Sequence, residues 1–254
     1  MPAVLGCAVI RCCYQGDANL SGRYRHAALL SPALLVLLVL LLPCSPARAG
    51  LLLEADTVYY TGPVSAAQNR ELFAKLADRK VGRLLITSTG GEVEAGIALG
   101  SWVFAHGIDI EVVKYCLSSC ANYVFSAGRH KTIRPGAVVA WHGNYNHLVQ
   151  TGLWQDDIAA RRERTGEDAL TARQRVHAEA VRLARLEQDF FARIGVDEYL
   201  CWIGKQPPYS VANYYFLSTD DMARFGVQDV QAPDDYAGTD LSGLDFRIEF
   251  ISLD

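Results

Sequence analysis

An α/β fold of parallel strand–helix–strand units is what this sequence predicts, on three observations. Short apolar runs of strand type alternate with segments of helical spacing. Glycine turns separate the runs from the helices that follow. A long helical segment then comes after the last strand of the series. Strands and helices in strict alternation argue for parallel βαβ units, because each crossover helix returns the chain to the same end of the sheet.

The elements follow in order. Leu51–Tyr60 reads as a strand that stops at Thr61-Gly62-Pro63. Pro63–Arg79 has helical spacing, with Leu72, Phe73, Leu76 and Ala77 on one side. Val81–Ser88 is a short apolar strand ending in Thr89-Gly90-Gly91. Glu92–His106 is a second helix, its apolar side built from Val93, Ile97, Ala98, Trp102 and Phe104, and Gly107 stops it. Ile108–Tyr115 is a strand, and the stretch KYCLSSCANYVFSAG at 114–128 leads into a third helix to about Ala127. Ala137–Trp141 is a strand leading to His142-Gly143. A polar loop is expected over Asn144–Glu167, then a long helix over Asp168–Ile194 with Val176, Ala180, Leu183, Leu186, Phe190 and Ile194 on one side. Thr219–Phe225 reads as a short helix capped by Thr219, and Val227 onward as strand and tail.

The chain has 254 residues, enough for one large core. Arg23 and Arg25 precede an uncharged apolar run at Ala27–Pro43, and Ala47-Arg48-Ala49 follows it. A basic segment, an apolar segment and a small-x-small site describe a secretory signal peptide over residues 1–49, with a retained membrane anchor as the other reading. Those 49 residues hold four arginines and one aspartate, so the remainder carries 20 basic and 27 acidic side chains, a net charge of −7. That balance is no basic footprint, and nucleic acid is not expected as a partner. Four of the seven cysteines also lie in the leader, leaving Cys116, Cys120 and Cys201, of which at most two pair internally. An exported compartment permits that disulfide.

Three features carry possible chemistry. Ser88-Thr89-Gly90-Gly91 ends a strand before a helix, where consecutive glycines let the backbone turn tightly and aim N–H groups at an anion. Alone, such a turn is more often a plain connector. Ser118-Ser119-Cys120 opens a helix, where a serine has free amide groups and the helix dipole beside it, although an N-cap serine looks the same. His142 follows a buried-looking strand, and a serine hydroxyl needs a base such as histidine.

Taken together, these segments resemble the proteolytic subunit of Clp protease, within the ClpP/crotonase superfamily, from about Val58 to Val230. Val58-Tyr-Tyr-Thr-Gly-Pro63 is similar to that family's opening strand and turn, and Ser88-Thr-Gly-Gly-Glu-Val-Glu-Ala-Gly96 to its Ser-Pro-Gly-Gly segment. Ser119-Cys-Ala-Asn-Tyr-Val-Phe-Ser-Ala-Gly128 resembles its nucleophile helix without a gap, and Val138-Val-Ala-Trp-His142 resembles the strand before its catalytic histidine. Phe216–Asp229 is similar to its late strand, helix and glycine turn. An exported branch with Cys-x-x-x-Cys around the serine is closer still. The resemblance implies a crotonase-type spiral of βαβ units with a long helix in the C-terminal half. It implies Ser119 as nucleophile, His142 as general base, and the backbone N–H groups of Gly91 and Cys120 as the oxyanion hole. It also suggests a Cys116–Cys120 disulfide bracing the turn, provided the Cα separation suits one.

The family's third member, an aspartate, falls in register on Ser210, and Ser210 or Asn213 is left to orient the histidine. Asp156, Asp157 or Asp220 could reach it from elsewhere. No lysine stands in a segment matching a serine–lysine dyad. The expectation is therefore an exported, periplasmic serine hydrolase without metal or organic cofactor. It would be an ATP-independent peptidase acting on short or unfolded chains, assembled as a homo-oligomer and without an ATP-driven unfoldase. The competing readings are a catalytically inactive binding or scaffold subunit and an acyl-thioester enzyme of the crotonase type.

Overall fold

The computed structural model describes residues 50–76 and 79–253; the expected leader over residues 1–49 lies outside them. The chain opens with a hairpin, β1 (Gly50–Glu54) and β2 (Thr57–Thr61), paired antiparallel with Leu53 opposite Val58. One strand was expected over Leu51–Tyr60. The chain reverses instead at Ala55-Asp56, where Ala55 takes φ 49°, the left-handed geometry that two-residue hairpin turns require.

From β2 onward the α/β alternation holds. Helix α1 (Ala66–Leu76), β3 (Arg83–Ser88), α2 (Val93–His106) and β4 (Asp109–Leu117) follow one another, and β2, β3 and β4 pair parallel. Short strands β5 (Lys131–Ile133) and β6 (Val138–Ala140) both pair parallel with β4, at different heights along it. Next come α3 (Tyr145–Thr151), α4 (Asp157–Thr165) and the 26-residue α5 (Ala169–Ile194), about 39 Å long at 1.5 Å per residue. Strand β7 (Tyr214–Phe216), helix α6 (Thr219–Arg224), β8 (Val230–Gln231) and β9 (Ile248–Phe250) complete the described chain. The main sheet runs β1-β2-β3-β4-β5-β8 with β6 on β4, and β7 pairs with β9 in a second, two-stranded sheet. A single antiparallel bridge between Trp141 and Tyr215 joins the end of β6 to β7.

The core is what the apolar strand runs foretell. Val58, Leu84, Ile86 and Val112 are completely buried, and Leu99 and Val103 of α2 are buried with them. Each such side chain contributes roughly 1.5–3 kcal/mol by leaving water. Helix α2 lies unusually close to the segment after β4. A Cβ on Gly100 would stand 2.3 Å from the Tyr123 carbonyl oxygen, and one on Gly96 would stand 2.5 Å from the Tyr123 ring. Only hydrogen at those two positions lets α2 press on the backbone that carries the candidate serines.

Three local expectations are corrected. Asn144–Glu167 is not a polar loop but holds α3 and α4. Asn144 starts α3 by accepting from the His147 amide at 2.9 Å, a capping bond that a polar sequence hides among other asparagines. The cap of α6 is Ser218, whose Oγ accepts from the Asp221 amide at 3.0 Å, so the expected Thr219 is already in the first turn. The third helix winds as a π-helix over Cys120–Phe125, every residue of it buried. That winding bears directly on the serines.

Candidate active site

Strand β4 ends at Leu117, and the next residue turns sharply. Ser118 has φ 53°, a left-handed conformation that costs a residue with a Cβ about 1–2 kcal/mol. The turn is held on all sides. The Ser118 amide donates to the Ala140 carbonyl of β6 at 3.1 Å, and the Ser118 carbonyl accepts from the Asn122 amide at 2.8 Å. Cys116 and Cys120 form a disulfide with Cα atoms 5.2 Å apart, closing a small ring with Ser118 at its centre. A Cβ on Gly90 would lie 2.5 Å from the Leu117 carbonyl oxygen and 2.7 Å from the Ser119 nitrogen. The Gly-Gly turn therefore packs directly against the serine turn, and it does so only because it lacks side chains.

His142 follows Trp141 at the end of β6. Its Nε2 lies 2.7 Å from Ser118 Oγ, within hydrogen-bond reach of the hydroxyl proton. The expected partner, Ser119, is turned away: its Oγ donates to the Gly91 carbonyl at 2.8 Å, and the residue is buried. The pairing of Ser119 with His142 is thus corrected to Ser118 with His142. The reason is the π-helix. Counting back from Ala127-Gly128 without a gap assumes α-helical winding, whereas a π-helix spends an extra residue per turn. Ser126 Oγ bonds to the Ala121 carbonyl five residues back at 3.0 Å, the spacing of π winding. The extra residue moves the serine that meets His142 one place upstream. The amide that follows it is then that of Ser119 rather than of Cys120. Among the described residues neither the Gly91 N–H nor the Ser119 N–H has a hydrogen-bond acceptor.

Among the described residues no carboxylate hydrogen-bonds to the ring of His142, whose one side-chain partner is Ser118. The Ser210 and Asn213 side chains, expected as orienting groups, make no hydrogen bond to it among the described residues. Ser210 sits in a tight turn at φ 49°, and the Asn213 carbonyl is taken by Lys205. Asp156, Asp157 and Asp220 are likewise not among its partners. The group that does approach is a cation. Lys205 Nζ donates to the carbonyls of Val211 (3.0 Å), Ala212 (3.1 Å) and Asn213, saturating its three N–H bonds and pinning that segment beside the cleft. Desolvation pushes the His142 imidazolium down to about 4, helped by the charge of Lys205 and by His147. The ring is open to solvent on its cleft side, so desolvation acts through its packed side, where Tyr214 lies 4.7 Å away. His142 is therefore a neutral imidazole at neutral pH.

Ser118, Ser119, His142 and Gly91 share a cleft of about 620 Å³, and Val93, Leu148, Leu153, Val211 and Ala212 give it apolar walls. Its lining includes an acid that was not foreseen. Glu187 of α5 is fully buried; it accepts from the Tyr123 hydroxyl and from the Asn146 amide at 3.0 Å. Burial raises its carboxyl to about 7 against the opposing effect of those bonds. The signal was present: Glu187 lies between Leu183 and Phe190 on the apolar side of a long amphipathic helix, where a carboxylate stays only with partners. Lys205 gave no such signal, because its role is created by the fold around it. Among the described residues no group of three or more His, Cys, Asp or Glu is placed to hold a metal ion, and no helix is long and apolar enough to cross a membrane.

No family model and no curated protein matches the chain. Among solved structures it is similar to an asparagine-to-aspartate variant of ClpP1 from Listeria monocytogenes. The identity is 12%, the TM-score 0.46, and the match covers 71% of this chain and 94% of that one. A likeness of that level carries no weight for residue roles, and the site stands on its own geometry.

Proposed function

We propose that this chain is a serine hydrolase in which Ser118 is the nucleophile and His142 its general base. The observation that carries the reading is the 2.7 Å approach of His142 Nε2 to Ser118 Oγ at the mouth of a cleft. A neutral Nε2 accepts the hydroxyl proton as Oγ attacks a carbonyl carbon, and returns it to the leaving group. The amides of Gly91 and Ser119 supply donors for the oxyanion, an arrangement worth about 3–4 kcal/mol per donor where it has been dissected. The apolar walls suit an acyl group with apolar side chains. We take peptides or unfolded segments as the substrate class, export as the setting, and a homo-oligomer as the working form.

The chemistry is that of a pair without its acid. With its ring charge disfavoured and no carboxylate to stabilise the imidazolium, His142 is a weak base. Turnover should accordingly fall short of a full triad by several orders of magnitude. The same feature favours a second reading, a binding subunit that has lost its chemistry. Reaction of the purified chain with a fluorophosphonate probe separates the two. Labelling that disappears in His142→Ala supports the hydrolase. Absence of labelling in wild type makes the binding reading the leading one.

A further inference from the structure

The loop that carries His142 is fastened by several hydrogen bonds, and its fastenings reach back to the helix that begins just after Ser118. Asn146 lies four residues after His142 and is buried. Its amide and both ends of its side chain are bonded. Its amide N–H donates to Glu187 Oε2 at 3.0 Å, its Nδ2 donates to Glu198 Oε1 at 2.6 Å, and its Oδ1 accepts from Gln188 Nε2 at 3.2 Å. Asn144 Nδ2 donates to the other oxygen of Glu198 at 3.1 Å. Two neighbours on the π-helix complete the frame. Asn122 Nδ2 donates to the Gly143 carbonyl at 3.0 Å, and the Tyr123 hydroxyl donates to Glu187. The nucleophile's helix and the base's loop thus share one hydrogen-bonded frame that includes two carboxyl groups.

We infer that Asn146, held by Glu187, Glu198 and Gln188, is a positioning residue that sets His142 against Ser118 through the backbone, in place of an acid on the imidazole ring. This rests on the Ser118–His142 reading. A ring-bound acid fixes the ring directly; here rigidity comes from residues 143–146. Gly143 stands at φ 124° with its carbonyl tied, and a Cβ there would press to 3.0 Å from His147 Nδ1, so the loop has one tight path. The carboxylate of Glu198 accepts from two amide NH2 groups at once. A glutamine at that position has one acceptor oxygen and must turn its own NH2 toward one of those donors. Glu198→Gln therefore breaks one fastening at nearly constant volume. Adding Asn146→Asp reverses the polarity of the pair: an aspartate at 146 accepts from a glutamine at 198 and still accepts from Gln188, while Asn144 keeps its acceptor.

The test is the kinetics of fluorophosphonate labelling of the full chain, resolved into the limiting rate at saturating probe and the probe's half-saturation concentration. Glu198→Gln should lower the limiting rate about tenfold, because a sub-ångström misplacement of a reacting group slows the step by factors of that order, with half-saturation unchanged. Asn146→Asp alone should lower it at least as far, and the double variant should recover to within roughly threefold of wild type, as expected when a coupled pair is restored. Limiting rates equal to wild type in folded single variants overturn the inference. So does a loss in which rate, half-saturation and melting temperature fall together with no recovery in the double variant, since that is a structural role only. If Asn146→Asp fails to fold, Glu198→Gln alone decides by its limiting rate. A wild-type chain that does not label at all removes the hydrolase reading and this inference with it; labelling that is indifferent to the swap removes the inference alone.

Discussion

At the scale of single residues, one hydroxyl and one ring nitrogen define the site, and the environment of that nitrogen sets its pH behaviour. His142 is held down to about 4 by desolvation, with Lys205 and His147 adding to the effect. The base form is required, so reaction persists while the pH stays above that value and is lost as the pH falls through it. The labelling rate should therefore be level across the neutral range and decline with a midpoint near 4, well below the ordinary histidine value of about 6.5. A midpoint near 6.5 would show a ring that is solvated and free of the neighbouring cation. Fluorophosphonate labelling between about pH 3.5 and 8 measures it.

At the scale of elements, the serine turn depends on a close approach and a staple. Gly100 of α2 lies against the Tyr123 backbone with no room for a Cβ, so Gly100→Ala must push α2 or the π-helix outward. We expect a loss of about 1–3 kcal/mol in denaturant unfolding, as for other overpacked cores, together with slower labelling, because the displaced helix carries Asn122 and begins just after Ser118. Unchanged stability would mean that the helices yield without strain. The Cys116–Cys120 staple closes a short loop, and the chain-entropy relation gives about 2 kcal/mol for a ring of that size. Replacing both cysteines by serine should cost at least that much in urea unfolding, since two hydroxyls would enter a fully buried site.

The elements also show what could be read from sequence and what could not. Apolar runs such as Leu84–Ile86 and Val138–Ala140 announced their strands, because burial selects the same side chains wherever the strand pairs. Strand β5 was missed, since Lys131-Thr132-Ile133 looks polar; Lys131 is nonetheless buried, its ammonium bonded to the Gln228 carbonyl at 2.8 Å. His142 was legible as a histidine at a strand end, whereas the Cys116–Cys120 disulfide was only suggested by the resemblance, because three cysteines leave the pairing open. The choice between Ser118 and Ser119 was not legible, because π winding leaves no mark in composition and a one-residue shift exchanges the hydroxyl that meets His142 for one bonded to the Gly91 carbonyl. The orienting groups were illegible for a different reason. Asn144, Asn146, Glu187 and Glu198 come from α3, α5 and the turn after it, and only the fold brings them together.

At the scale of the whole molecule, the buried acid of α5 links stability to pH. The Glu187 carboxyl stands at about 7 in the fold, above its ordinary value of 4.5, because burial disfavours the charge. The folded chain therefore binds the proton more tightly than the unfolded chain between those values. The contribution is fully present below about 4.5 and is lost as the pH rises toward 7. Glu187→Gln, which stays neutral, should gain progressively in melting temperature relative to wild type as the pH rises from about 4.5 to about 7, and hold that gain above it. A difference that does not vary with pH would place the ionisation outside that window.

The central claim is that Ser118, not Ser119, is the activated hydroxyl, and peptide mapping of the labelled chain by tandem mass spectrometry tests it most directly. The account predicts the phosphonyl adduct on Ser118, its loss in Ser118→Ala and His142→Ala, and its persistence in Ser119→Ala within about tenfold of the wild-type rate, since that variant keeps the 119 amide and loses only a bond to the Gly91 carbonyl. An adduct on Ser119, or labelling that survives in Ser118→Ala, would contradict it.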